Sequence, residues 1–249
     1  MTINTKTLAA IDIGTNAIRL FISNVEEYPT ETLFKKIAFL RVPIRLGEDV
    51  FTTGEIGQQK RKRLCETMQG FSYIMSAFNV ESYKAYATCA MREARNGKSV
   101  AEQIQKECDL NIEIISGTKE AETIFAGGMN EVVDDDKTYL YVDVGGGSTE
   151  VIVYSKSVKI EACSFPLGTV RMLNDAVDKE EMKHFKKWLK NITEKYTPDA
   201  IIGSGGNINK IHKLLNKKER ERITYQELDI LYEYMKSFNL EERERIMKL

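Results

Sequence analysis

The chain carries the same turn twice, and that repeat limits it to folds built from two similar halves. One largely apolar run ends in Asp12-Ile13-Gly14-Thr15-Asn16, and a second ends in Asp143-Val144-Gly145-Gly146-Gly147. Laying Asp12 on Asp143 also lays Gly14 on Gly145, Thr15 on Gly146 and Asn16 on Gly147, at a constant offset of 131 residues. Glycine removes the Cβ that keeps a ligand away from the backbone, and successive N–H groups in such a turn form an anion-binding concavity. Two such turns, one per half, predict two lobes facing each other across a phosphate-sized cleft.

A single Asp-X-Gly after a strand is equally an ordinary hairpin turn. The second copy, with a third glycine cluster at Gly203-Ser204-Gly205-Gly206, favours ligand binding. At 249 residues there is room for two domains of ordinary size. With 42% hydrophobic and 29% charged residues, the composition is that of a globular protein. The net charge of −1 gives no general attraction to nucleic acid. Basic residues cluster locally, at Lys60-Arg61-Lys62-Arg63 and between 183 and 222, where eleven Lys or Arg face four Asp or Glu. Such runs are solvated helix faces on one reading and a track for a polyanion on the other. Cys65, Cys89, Cys108 and Cys163 have no metal-ligand spacing among themselves or with His184 and His212. They read as small buried hydrophobes of a reducing compartment. No stretch approaches the ~20 apolar residues of a membrane span. The expected location is cytoplasmic, with neither membrane nor nucleic acid as partner.

Periodicity predicts strands over 7–13, 18–25, 32–44, 80–88 and 111–115. It predicts a helix over 56–78 with Leu64, Met68, Phe71, Met75 and Phe78 on one face. Further helices are predicted over 99–108, capped by Ser99, and over 120–127, ending at Gly127-Gly128. The second half repeats the scheme, with strands over 138–144, 150–155, 158–165 and 199–203. Its helices open at Asp178 and Thr224, with Glu181 and Glu227 as capping-box partners. The implied organisation is two α/β lobes with mixed sheets, residues 1–124 and 125–249, joined near the polar stretch 134–137.

Asp143 and Glu150 bracket the second turn, and two hard oxygen ligands beside phosphate oxygens suit a magnesium ion. Asp143 would alternatively cap its own turn. Arg92 stands where a strand gives way to a helix, a place suited to gripping an anion, or to a surface ion pair with Glu93 or another acid. Glu120 lies at a strand-to-helix junction, either as a dipole partner of the helix or as a general base orienting a water. Spacing does not decide between these.

Together, Ala10-Ile11-Asp12-Ile13-Gly14-Thr15-Asn16, Arg45-Leu46-Gly47, Ala87-Thr88-Cys89-Ala90-Met91-Arg92, Ile115-Ser116-Gly117-Thr118-Lys119-Glu120-Ala121, Asp143 to Glu150 and Gly203-Ser204-Gly205-Gly206 resemble the exopolyphosphatase / guanosine pentaphosphate phosphatase (Ppx/GppA) family. The resemblance implies an α/β, two-lobed actin-like ATPase or sugar kinase-like (ribonuclease H-like) fold with mixed five-stranded sheets and an interlobe cleft. It implies hydrolysis of a terminal phosphoanhydride with Mg2+ or another divalent cation. It makes Glu120 the catalytic base and Asp143 and Glu150 the metal and water-positioning carboxylates. Gly14, Thr15, Asn16, Gly145, Gly146, Gly147, Ser148 and Thr149 become the phosphate loops, and Arg92 the phosphate-gripping arginine.

Lys119 departs from the family's paired Glu-Glu, Glu122 stands where many members have Arg, and Thr15 keeps the hydroxyl of the usual Ser. Members continue beyond the point that corresponds to Leu249, so the second lobe is expected to be incomplete. The leading expectation is hydrolysis of inorganic polyphosphate. The alternatives are hydrolysis of guanosine pentaphosphate, phosphate transfer by a kinase of the same superfold, and a non-catalytic polyphosphate or alarmone sensor. Family members often form homodimers, which is the expectation for assembly.

Overall fold

The computed structural model describes residues 4–126, 134, 136–156, 158–218 and 221–247. Along the first half run β1 (Asn4–Ile13), β2 (Ile18–Glu27), β3 (Thr32–Val42), α1 (Leu46–Thr53), α2 (Gln58–Ala77), β4 (Ser82–Ala87), α3 (Cys89–Glu93), α4 (Gly97–Cys108), β5 (Glu113–Ile114) and α5 (Gly117–Ala126). The second half holds β6 (Thr138–Val144), β7 (Thr149–Ser155), β8 (Val158–Phe165), α6 (Thr169–Leu173), α7 (Lys179–Tyr196), β9 (Ala200–Ser204), α8 (Gly205–Leu214), α9 (Tyr225–Lys236) and α10 (Leu240–Met247). The first sheet has the order β3-β2-β1-β4-β5 and the second β8-β7-β6-β9. In each, the leading strand pairs antiparallel with the next strand and parallel with the strand after the helices. The lobes are therefore built alike, and the α/β two-lobed class is the one observed. The second sheet has four strands among the described residues, not the five expected.

Burial locates the cleft. On β2 the side chains alternate, with Ile18, Leu20 and Ile22 buried and Arg19 and Phe21 only partly so. The buried face, with Ile11 and Ile13 of β1, packs on Leu64, Met68, Phe71 and Met75 of α2 and on Val100, Ile104 and Cys108 of α4. On β7 the residues from Thr149 to Tyr154 are all buried. Here both faces are covered: Val151 and Val153 pack with Trp188 and Ile192 of α7, and Ile152 packs with Ala121 and Ile124 of α5. A sheet covered on one side alternates, and one covered on both is uniformly apolar. The uncovered face of the first sheet is left to line a cavity.

Several elements differ from the sequence expectation. The lobe boundary at 124/125 falls inside α5, and packing on Ile152 and Ala162 assigns the whole helix to the second lobe. Residues 46–53 form a helix that the sequence periodicity does not predict, with Arg45 as its N-cap. Arg45 takes a left-handed conformation with φ 58°, and the Arg45 and Gly47 N–H groups donate to Asn16 and Thr15 carbonyls at 2.9 Å. The fourth helix starts at Gly97, not at Ser99, after Asn96, whose side-chain amide brackets the backbone of Ile56. Asp178 caps α7 by accepting from the Glu180 N–H, without Glu181, whereas Thr224 and Glu227 form the full capping box. Gly127 and Gly128 lie outside the described residues. No helix among the described residues is long and apolar enough to cross a membrane.

Met68, fully buried between α2 and the first sheet, tests this packing. Met68→Ala is expected to cost about 2–5 kcal/mol, read as a lower urea midpoint. A change below about 0.5 kcal/mol would contradict the assigned core.

Candidate active site

Both glycine turns are closed by the same bond. Gly14 N–H donates to Ala17 O at 3.2 Å, and Gly145 N–H donates to Ser148 O at 2.9 Å. The N–H groups of Thr15, Asn16, Gly146 and Gly147 donate to no protein acceptor among the described residues. Thr15 is nevertheless only 5% exposed, and buried backbone donors are seldom left without a partner. These four N–H groups are available to an anion.

The two turns touch. A Cβ on Gly146 would lie 3.1 Å from Thr15 Cγ2, and one on Gly147 would lie 2.5 Å from Cys89 Sγ, 2.8 Å from Phe51 Cζ and 2.9 Å from Thr15 Oγ1. Glycine is needed at 147 because the opposite lobe occupies the space of a side chain. Around the junction lies a cavity of about 990 Å³ whose lining includes Asp12, Arg19, Glu120, Asp143 and Glu150 together with both turns. That volume accommodates a small-molecule ligand.

The 131-residue offset extends past the turns. It aligns Arg19 with Glu150, and in both sheets this residue sits directly across from the aspartate: Asp12 opposite Arg19, Asp143 opposite Glu150. The first lobe thus holds an Asp–Arg ion pair where the second holds two carboxylates. Like charges directly opposite on a sheet destabilise it unless a cation intervenes. Among the described residues no three His, Cys, Asp or Glu side chains converge as a metal cage. Magnesium commonly needs only one or two carboxylates, with water and substrate phosphates completing its shell. The Asp143 and Glu150 donor set fits that ion.

Glu120 is 16% exposed and accepts from Arg92 Nη1 at 3.3 Å. Burial, reinforced by the negative charge of Glu150, pushes its carboxyl from 4.5 up to about 7, against the opposing pull of Arg92. Glu150 accepts from Ser164 Oγ at 2.8 Å, and burial raises its carboxyl as well. Asp12 is raised by burial despite Arg19.

A buried arginine joins the lobes. Arg171 of α6 donates through Nε to the Gly147 carbonyl at 2.9 Å and through Nη2 to both Glu93 carboxylate oxygens at 2.7 Å. Its guanidinium lies 4.1 Å from the centre of the Phe51 ring. It therefore ties the second turn to α3, the helix that carries Arg92.

Of the residues singled out in the sequence, Gly14, Thr15, Asn16, Glu120, Asp143, Gly145, Gly146, Gly147, Ser148 and Glu150 line the one cavity. Arg92 stands behind Glu120 and lines a smaller cavity. Its carboxylate partner is Glu120, while Glu93 pairs with Arg171. Thr149 is buried, and its hydroxyl donates to the Leu167 carbonyl. The cations lining the main cavity are Arg19, Arg41 and Lys84, with none from the basic run at 183–222. In that run Lys183, Lys190 and Lys217 pair with glutamates three or four residues away. Sequence reasoning missed Arg19, Ser164 and Arg171. The turn repeat, carried three residues further, finds Arg19. No local signal marks Ser164 or Arg171.

A family model described as the Ppx/GppA phosphatase family matches residues 22–249. A bifunctional 3-dehydroquinate synthase/phosphatase of Fusobacterium nucleatum is 32% identical over 168 residues, which are 66% of this chain and 25% of that protein. Exopolyphosphatase 2 of Mycobacterium tuberculosis is 28% identical over 170 residues, covering 66% of this chain and 53% of that protein. The chain thus spans about a quarter and about half of these two relatives. The crystal structure of an exopolyphosphatase from Cytophaga hutchinsonii superposes with a TM-score of 0.82 at 24% identity, over 97% of this chain and 83% of that one. The fold is shared.

Because the Glu120 carboxyl is raised on folding, the folded state binds its proton more tightly than the unfolded chain does. Its favourable contribution is complete below about 4.5 and is lost as pH rises through about 7. The ligand-free protein should therefore melt at a higher temperature near pH 6 than near pH 8. Glu120→Gln should remove most of that difference, which is worth about 1.4 kcal/mol between pH 6 and pH 8. An unchanged slope in the variant, read by scanning calorimetry, would contradict the burial assigned to this carboxyl.

Proposed function

We propose that this chain, which belongs to the Ppx/GppA phosphatase family, is an exopolyphosphatase that hydrolyses the terminal phosphoanhydride of inorganic polyphosphate and releases orthophosphate. The observation that carries the reading is Glu120. This largely buried carboxyl, raised to about 7, opens onto the cavity that both glycine turns line. A general base works best with a pKa near the working pH.

The polyanion enters the main cavity and its terminal phosphates take up the N–H groups of Thr15, Asn16, Gly146 and Gly147. These donors are fixed by the turns before the substrate arrives, so little reorganisation is needed as charge shifts in the transition state. Arg19, held by Asp12, faces the chain from the first lobe, with Arg41 and Lys84 further along the same sheet. Asp143 and Glu150 would hold Mg2+, which when bound offsets the charge of the terminal phosphoryl group. Glu120 accepts a hydrogen bond from a water and orients it for attack opposite the leaving oxygen. The water oxygen bonds to phosphorus, the bridging P–O bond breaks with its electron pair on the shortened chain, and Glu120 takes the proton. Arg92, hydrogen-bonded to Glu120 and to the Ile115 carbonyl at 2.8 Å, keeps that carboxylate pointed at the water.

Glu120→Gln preserves shape and removes the base. It should lower kcat on long-chain polyphosphate with magnesium by ~10²–10⁴-fold while leaving KM within a few-fold. Turnover within twofold of the parent protein would remove Glu120 from the reaction.

A further inference from the structure

A second cavity lies behind the Arg92–Glu120 pair. It measures about 390 Å³, and Arg92, Gly117, Thr118, Ser148 and Ser164 are among its lining residues. Ser148, only 4% exposed, lines both cavities. Glu120 and Glu150 line the main cavity, whereas their hydrogen-bond partners Arg92 and Ser164 line the second. The two spaces thus adjoin at the Arg92–Glu120 and Ser164–Glu150 hydrogen bonds and at Ser148, whose side chain also hydrogen-bonds Glu150.

The second cavity has the chemistry of a tetrahedral oxyanion site. It presents the Arg92 guanidinium and the first turn of the ten-residue helix α5, while the Ser148 and Ser164 side chains are turned to Glu150. The Gly117 and Thr118 N–H groups donate to no protein acceptor among the described residues. The acid at the rim, Glu93, is already paired with Arg171. A helix N-terminus and an arginine together favour a small anion.

We propose that this rear cavity is an orthophosphate site through which the product leaves while the shortened chain remains in the main cavity. The inference rests on the exopolyphosphatase reading. In an in-line displacement the attacking water and the leaving oxygen lie on opposite sides of phosphorus. With the chain filling the main cavity, the water and Glu120 face the wall where the two spaces adjoin. After cleavage the orthophosphate is enclosed between that wall and the chain it has just left. Exit through the main cavity requires the chain to dissociate first. Exit past Ser148 and Arg92 does not, and it allows successive cleavages on one bound chain.

Two measurements test this with magnesium and long-chain polyphosphate. The first uses the unaltered protein. Orthophosphate added as a product inhibitor should be noncompetitive with polyphosphate, because the two occupy separate spaces, and strict competition would overturn the proposal. The second uses Thr118→Cys combined with Cys163→Ala, since Cys163 is the one cysteine of the four that is not buried. A bulky thiosulfonate attached at position 118 should leave first-turnover cleavage, read by rapid quench, within about twofold. It should slow the appearance of free orthophosphate ~tenfold, and reductant should reverse this. Release that keeps pace with cleavage in the plugged protein would overturn the proposal, as would loss of cleavage itself on plugging. If the unaltered protein released no orthophosphate from polyphosphate, the functional reading would fail instead, before either test.

Discussion

The site depends on the direct contact between two backbone turns from opposite lobes. Gly146 and Gly147 have no side chains, and Thr15, Phe51 and Cys89 of the first lobe fill the space that side chains would need. Gly168, at the start of α6, packs on the Gly146 backbone in the same way. Arg171 then completes the junction. It is 9% exposed and binds the Gly147 carbonyl, the Glu93 carboxylate and the Phe51 ring. A buried guanidinium is tolerated only when its donors are satisfied, so the geometry that satisfies Arg171 also fixes the spacing of the turns. The free N–H groups of both turns consequently open onto one cavity.

The structural repeat is broken in charge, and the proposed reaction rests on that break. In the first lobe Arg19 neutralises Asp12 across the strand pair. In the second lobe the equivalent position is Glu150, opposite Asp143. On the proposed function, one wall of the cleft offers a cation to the phosphate chain and the other a pair of carboxylates to a metal ion. The nearby Glu120 carboxyl is raised by its burial and by Glu150. A site that only bound polyanions would gain nothing from three acids at the same end. The arrangement matches the logic of phosphoryl transfer, in which positioning and charge compensation carry the catalysis.

How much was legible in the sequence depends on the range of the interaction. The turns, the strand that follows each and the buried stripe of α2 were readable because period and glycine placement are local signals; only Phe78, expected on that stripe, falls past the helix end and is exposed. The start of α1 was not, since it depends on bonds from Arg45 and Gly47 to a turn some thirty residues earlier. Boundary placement inside α5 failed for a similar reason, because the helix follows the first lobe in sequence yet packs on the second sheet. Arg19 was recoverable, being the Glu150 position of the other repeat. Arg171 was not, because its partners Cys89 and Glu93 lie 82 and 78 residues away and no periodicity links them. The cationic run at 183–222 shows the converse. It is conspicuous in the sequence, yet none of its Lys or Arg side chains lines the cavity.

The central claim is that one phosphate chain is held by both turns at once, with Glu120 at its end. The most direct measurement is a crystal structure with magnesium and a non-hydrolysable imido analogue of a short polyphosphate. The account predicts analogue oxygens accepting hydrogen bonds from N–H groups of both the 14–16 and 145–147 turns, with Glu120 within about 3 Å, directly or through one water, of the terminal group. An analogue bound to a single turn, or lying outside the cleft with both turns unligated, would contradict it.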